Sequence, residues 1–293
     1  MNQKLKNKIY PLWMSFPACI VYTIFFIVPI FAAFFYSFTD WNLDRINSAK
    51  WIGFQNFINL FQDEIFARSI FNTVLFAFTT TVLKTAVGLL LALIVVNKFR
   101  GNNFFRTLFY LPCVLSCMIV GLLFTGILKN DGLINNFLNS VGMEQLARNW
   151  LGSYSTAMTW IILIEVWMWA GFGMFIFISG LNSISKEYYE SAQIDGATAM
   201  QRFSKITLPL LAPSFTVVTT LNITGGLKVF DLVYSLTGGG PGFDTQVLNT
   251  YTYRAFGMGL LGKSSASALL LSVVIVIITF VLNRLLKSKE LDV

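Results

Sequence analysis

Six stretches of this chain are predominantly apolar for twenty or more residues each, at 12–38, 70–96, 104–128, 156–181, 209–236 and 266–286. A helix rising 1.5 Å per residue needs about 20 residues to cross the hydrocarbon of a bilayer, so each run is long enough to span one. Inside lipid every backbone amide must find its partner within the protein, which makes helices the spanning structure for segments of this length. The runs predict an all-α integral membrane protein with six transmembrane helices, organised as a single domain over 1–293. Composition agrees, since 55% of the residues are hydrophobic and only 12% are charged. A water-soluble core has no room for so much apolar surface. Pro17, Pro29 and Pro112 fall inside the runs and are compatible with membrane helices, whose neighbours satisfy the freed carbonyls. The first run follows Lys4, Lys6 and Lys8 as a signal peptide would. Its apolar stretch is too long for one, and it is expected to be retained.

Alternating spans sort the basic residues by side. Twelve fall on the side of the termini: Lys4, Lys6, Lys8, Lys98, Arg100, Arg106, Lys186, Arg202, Lys205, Arg284, Lys287 and Lys289. Seven fall on the other: Arg45, Lys50, Arg68, Lys129, Arg148, Arg254 and Lys263. Because the cytoplasmic side carries the excess of Lys and Arg, both termini are expected in the cytoplasm. The formal +7 charge then reads as an orientation signal, and nucleic acid is not an expected partner. The chain has no His, so it lacks the commonest catalytic base, metal ligand and proton relay. That argues against an enzyme and against a proton-coupled pump. Cys19, Cys113 and Cys117 lie in apolar runs without metal-ligand company and read as packing residues. The outward connections are longer and polar, with amphipathic pieces such as 51–66, and suit docking of something outside.

One motif is a decoy. Gly257-Met-Gly-Leu-Leu-Gly262-Lys263-Ser264 matches the phosphate-binding pattern G-x-x-x-x-G-K-[ST]. Such a loop works after a buried parallel strand, and here it follows an outer loop and opens a membrane span. It is not expected to bind nucleotide.

The cytoplasmic connection between the fourth and fifth spans, 182–208, is different in character. Ser185 is a suitable N-cap, Glu187 sits in the first turn where the helix dipole favours an anion, and Gly196 supplies a stop. A short helix outside the membrane follows, wetted by Lys186, Glu187, Glu190, Asp195, Arg202 and Lys205. A solvated connector is one reading of it. In addition, Glu190-Ser191-Ala192, Asp195-Gly196-Ala197 and Ile206-Thr207-Leu208-Pro209 resemble, at the same spacing, the cytoplasmic motif of permeases in binding-protein-dependent ABC importers. Ser191 replaces the usual Ala, one small residue for another. Trp51-Ile-Gly-Phe-Gln-Asn-Phe, Asn72-Thr73, Phe230-Asp231 and Thr237-Gly-Gly-Gly-Pro241 extend the resemblance to the carbohydrate branch of that family over nearly the whole chain.

The resemblance implies a type I ABC importer permease fold and a place in a bacterial cytoplasmic membrane. It implies a heterodimer with a second, homologous permease, two cytoplasmic ATPase subunits, an extracellular sugar-binding protein and a carbohydrate cargo. ATP and magnesium would be bound by the ATPase partners, with no cofactor in this chain. Glu187, Glu190, Ser191, Ala192, Asp195, Gly196 and Ala197 would form a coupling helix held in a cleft of the ATPase. The resemblance also places the substrate pathway at Asn222, Gly225, Gly226 and Val229 of the fifth span and at Gly171 and Met174 of the fourth. Thr224, Lys228 and Trp167 add polar and aromatic groups of the kind sugars need. Helix packing is the alternative role for the glycines. An ion-coupled secondary transporter of small solutes is the alternative for the whole chain, and would carry its own ion site and usually an inverted repeat.

Lys84, Glu165, Lys228 and Asp231 lie within the expected spans, where an unpaired charge costs about 2.5–3.5 kcal/mol. Counted from the outer ends of the apolar runs at 1.5 Å per residue, Glu165 is about 13 Å deep, Lys228 about 10 Å and Lys84 about 21 Å. The count favours a Glu165–Lys228 ion pair, with Lys228–Asp231 as an i, i+3 contact on one helix.

Overall fold

The computed structural model describes residues 12–96 and 100–287. Lys4, Lys6, Lys8, Lys98 and Lys289, part of the orientation argument, lie outside the described residues. Among the described residues secondary structure is helical apart from one isolated bridge, Thr39 with Trp51. Among the described residues five helices are long and apolar enough to cross a bilayer, and a bent pair makes a sixth candidate. The chain divides into two compact units, 1–63 with 252–270 and 64–251 with 271–293.

The first unit contains α1 (Trp13–Tyr36), none of whose side chains is buried. A π turn at Thr23–Ile27 sits just ahead of Pro29, the kind of local widening that accommodates a proline in a helix. Beyond α1 the chain is tied by the stretch Trp51–Phe57. Gly53 turns the backbone at φ +60°, and α2 (Gln55–Phe61) carries buried Asn56, whose amide donates to Ser37 O and Thr39 O at 2.8 Å each. Trp51 stacks on Phe38 with ring centroids 5.4 Å apart. Asp40 accepts the Lys50 N–H and the Arg45 guanidinium, and these hold its carboxyl below the usual carboxylate range.

The same unit accounts for the phosphate-loop lookalike. Lys263 is committed to Asp63 at 2.8 Å, and the Ser264 hydroxyl donates to Thr252 O at 2.9 Å. A side chain on Gly262 would stand 2.3 Å from Thr39 O. That glycine serves close packing.

The second unit is built on α3 (Glu64–Val96) and α7 (Tyr154–Ser183). Two observations fix their register. The Tyr154 hydroxyl donates to Asn72 Oδ1 at 3.1 Å, and sixteen residues further along each helix a Cβ on Gly88 would lie 3.1 Å from Ala170 O. The N-terminal end of the pair, the outer end in the orientation expected from the basic residues, is stitched to the 238–248 loop. Asn72 donates to Asp244 O at 2.6 Å and Gln246 O at 2.9 Å, while Thr73 accepts the Leu248 N–H at 2.9 Å. Arg68 reaches the Asp244 carboxylate at 2.9 Å and lies over the Tyr154 ring. Asn72-Thr73 thus has a structural reason to stand where it does.

Two expected spans are not single helices. The run 104–128 is α4 (Asn102–Val114) and α5 (Cys117–Leu128), separated by extended backbone at Leu115 and Ser116 just after Pro112. The candidate span here is Cys117–Ser140, α5 together with a short helix, α6 (Leu133–Ser140), and not the expected 104–128. The run 209–236 is broken twice. It begins inside α9 (Ala199–Leu210), which meets α10 (Ala212–Leu227) at 64°, next to Pro213, which has no N–H to continue the ladder. It breaks again at Lys228–Phe230 before α11 (Asp231–Thr237), with Phe230 at φ −145° and ψ −66°. The Asn249 amide, from α12 (Leu248–Gly257), donates to the freed Lys228 carbonyl at 2.7 Å. Within this unit the part of α13 (Leu261–Lys287) beyond residue 270 packs Ile275, Ile278 and Leu282 against Ala77, Ile223 and Leu227.

Candidate functional site

Inside the second unit a cavity of about 370 Å³ opens between α3, α7, α10 and the break before α11, lined by Lys84, Glu165, Trp169, Asn222, Lys228 and Asp231 among others. Its walls follow helical periodicity. Glu165, Trp169 and Phe172 fall at i, i+4 and i+7 of α7, and Leu221, Gly225 and Lys228 do the same along α10. Each triplet is one stripe of a helix facing one space.

The charged pair in this wall corrects the depth count. Glu165 Oε1 accepts from Lys84 Nζ at 3.0 Å, and both side chains are almost fully buried. Lys228 is exposed and has no ion-pair partner among the described residues. The count failed because the two apolar runs do not start at one level: residue 70 lies two residues before the Asn72–Tyr154 contact and residue 156 two residues after it. Measured from the Asn72–Tyr154 contact instead, Lys84 is twelve residues along α3 and Glu165 eleven along α7. At 1.5 Å per residue both are about 17 Å from it, at one level. The Lys228–Asp231 contact is absent among the described residues for a different reason. The helix that was to bring them together ends at Leu227, so i, i+3 geometry does not apply.

Of the residues assigned to a substrate pathway, Asn222, Gly225, Lys228 and Val229 line the cavity. Asn222 donates to Thr85 Oγ1 at 3.2 Å. A side chain on Gly225 would meet nothing within 4 Å, whereas one on Gly226 would lie 2.7 Å from the Ala77 Cα. Two adjacent glycines therefore differ in role, one facing the cavity and one allowing α10 to approach α3. Gly171 is also a packing residue, with a Cβ position 2.1 Å from Phe109 O. Met174 is buried in the core beside Ala92, Phe177 and Val218. Thr224 shares a hydrogen bond of 3.4 Å with Thr279, and the Trp167 ring packs on Phe124. Lys84, Cys117, Phe172, Leu221, Phe230 and Leu232 also line it, and Lys84 was legible only as an unexplained charge.

The connection after α7 forms a compact helical hairpin. α8 (Lys186–Ile194) is capped at its start by Ser185, whose hydroxyl accepts the Glu187 N–H at 3.3 Å. At its end the Ala197 N–H donates to Ala192 O at 2.9 Å and the Gly196 N–H to Gln193 O at 3.1 Å. This 6→1 and 5→2 pair closes a Schellman motif. It requires a left-handed residue, and Gly196 supplies it at φ +75°. Asp195-Gly196-Ala197 is thus a helix stop in physical terms. Thr198 at once starts the next helix, Ala199–Leu210, with a capping box to Gln201, and Tyr189 Oη meets Thr207 Oγ1 at 2.9 Å. Glu187, Glu190, Ser191, Asp195 and Gly196 are exposed, with Ala192 and Ala197 half-buried. Ile194 and Met200, which drew no attention in the sequence, are 87% and 73% exposed. Two bare aliphatic side chains among charges are the kind of patch that meets a partner.

Comparison with known proteins bears on both places. Residues 84–290 match the family described as binding-protein-dependent transport system inner membrane component. A probable ABC transporter permease protein of Bacillus subtilis is 37% identical over 95% of this chain and 94% of its own length. The multiple sugar-binding transport system permease protein of Streptococcus mutans is 32% identical, covering 98% of this chain and 99% of that one. Among solved structures, a chain of a bacterial ABC transporter involved in import of the acidic polysaccharide alginate superposes with a TM-score of 0.83, at 27% identity over 98% of both chains.

Proposed function

Because the chain belongs to the family of binding-protein-dependent transport system inner membrane components, we propose that it is one of two permease subunits in an ATP-driven sugar importer. It forms half of the translocation pathway and transmits ATP-driven motion through α8. It sits in a bacterial cytoplasmic membrane with both termini in the cytoplasm. A homologous second permease completes the pathway, two ATPase subunits bind ATP and magnesium and hydrolyse it, and an external binding protein delivers the sugar. This chain performs no chemistry.

The observation that carries this reading is where the hairpin is attached. α8 is joined on one side to α7, which bears Glu165 and Trp169, and on the other through the bend at Leu211 to α10, which bears Asn222, Gly225 and Lys228. A shift of one exposed hairpin displaces two walls of one cavity, as a rigid-body switch requires. The caps make α8 stiff, Ile194 and Met200 give a docking cleft something apolar to grip, and Glu187 and Glu190 give it anions to hold. Relatives named for sugar transport support the cargo class.

Glu190→Lys is the test. In the assembled transporter it leaves membrane insertion intact and uncouples ATP hydrolysis from sugar uptake. Normal uptake with normal ATPase recruitment would refute the lever, and uptake that persists without ATP would favour the ion-coupled alternative.

A further inference from the structure

The permease reading leaves open why a membrane helix keeps a carboxylate in the wall of a sugar pathway. A buried ion pair is weak evidence for stability, since desolvating two charges offsets most of their attraction and apolar residues of similar volume do as well. Lys84 and Glu165 are 3.0 Å apart and almost fully buried, yet both belong to the cavity lining. Glu165 makes a single hydrogen bond among the described residues, from Oε1. No hydrogen bond to Oε2 occurs among the described residues, and Glu165 is part of the cavity wall. One turn further along α7 stands Trp169, and across the cavity Asn222 offers an amide. A fixed carboxylate oxygen, an aromatic ring and an amide converging on one space are the groups that bind a polyhydroxylated ring, by accepting its hydroxyl protons and stacking on its C–H face. The cavity volume falls within the range of about 300–1,000 Å³ usual for small-ligand sites.

We infer that Glu165, held in place by Lys84, is a sugar-hydroxyl acceptor in this pathway and selects uncharged sugars. The inference rests on the permease reading and deepens it. A carboxylate oxygen accepts hydroxyl protons from a neutral sugar and repels the carboxylate of an acidic one. The second cation of the cavity, Lys228, does not reverse this, because Asp231 lines the same space. Lys84 is a positioning residue that holds the Glu165 carboxylate in place.

The test compares strains of the source organism in which this gene is deleted and then restored as wild type or variant, each carrying a tag on the full-length chain. Two pools are offered, oligosaccharides from hydrolysed starch and galactan, and acidic oligosaccharides from hydrolysed pectate and alginate. Uptake is read by mass spectrometry against the deletion strain, and assembly by the ATPase subunit that co-purifies on the tag. The wild type takes up sugars from the neutral pool. The double substitution Lys84→Met with Glu165→Leu, which removes both charges together, assembles at the wild-type level and loses at least tenfold in uptake. Glu165→Gln shifts the ratio of acidic to neutral uptake upward at least threefold. Wild-type-like uptake by the assembled double variant would overturn the acceptor role, since a merely structural pair tolerates that exchange. Uptake by the wild type from the acidic pool alone, or from neither pool, would overturn the selectivity. Absence of any ATPase on the wild-type tag would instead bring down the permease reading itself.

Discussion

The outer end of α3 and α7 and the hairpin after α7 are both dense in hydrogen bonds, but the bonds are of opposite kinds. At the outer end Asn72 reaches Asp244 O, Gln246 O and Tyr154, and Thr73 takes the Leu248 N–H. Every one of these partners is distant in sequence. In the hairpin Ser185 bonds Glu187, Gly196 and Ala197 close back on α8, and Thr198 pairs with Gln201. Nearly every partner there is within five residues. The outer end holds its shape only while the unit is folded around it. The hairpin carries its geometry with it, and can be displaced as a body without losing a bond. A pivot and a lever need these two different economies of order.

The comparison breaks most visibly at Asn72. Asn72→Leu leaves the buried Gln246 carbonyl, the half-buried Asp244 carbonyl and the Tyr154 hydroxyl short of a partner, a buried group in that state costing about 1–3 kcal/mol. The expected result is a loss of about 3 kcal/mol or more, seen as a fall in the thermal midpoint of the purified protein in detergent. An unchanged midpoint would show that the outer end is not a tertiary lock.

That lock also explains what could be read in advance. Apolar length alone pointed to an all-helical membrane chain, because a requirement for about 20 residues is hard to miss, but it did not show the breaks at Leu115–Ser116 and Leu211. Local chemistry was equally legible. Ser185, Glu187 and Gly196 mark the start and stop of α8 as capping physics demands, and the structure has those caps. What could not be read was register between helices. The Lys84–Glu165 pair depends on α3 projecting beyond the start of α7, and that offset is set by Asn72 and Tyr154, residues 82 positions apart. The break at Lys228–Phe230 was hidden for the same reason. No proline marks it, and the residue that satisfies its carbonyl, Asn249, comes from another helix. Adjacent Gly225 and Gly226 looked alike until the neighbouring Ala77 separated them.

A sharper test of the hairpin replaces Gly196 with Val. At φ +75° a β-branched residue is strained by about 1–3 kcal/mol, enough to open the Schellman turn. The expectation is faster amide exchange across α8 and reduced uptake in the assembled transporter, with the global thermal midpoint within a degree or two of wild type. A midpoint that falls as far as for Asn72→Leu would mean the hairpin is no self-contained body.

The smallest effect comes from the start of the same helix. Ser185→Ala removes one cap, whose hydrogen bond is long at 3.3 Å, and exposed caps of this kind contribute about 0.5–1 kcal/mol. Because only the first turn of α8 depends on it, hydrogen exchange should quicken there by about threefold, consistent with the low end of that range. The turn at Gly196 and the capping box at Thr198 should keep their protection, since neither shares a bond with Ser185. Uptake should be close to wild type, because a lever frayed at one end still transmits a push along its remaining turns. If protection were instead lost along the whole hairpin, its bonds would be cooperative with one another and the lever would be more fragile than its local caps imply.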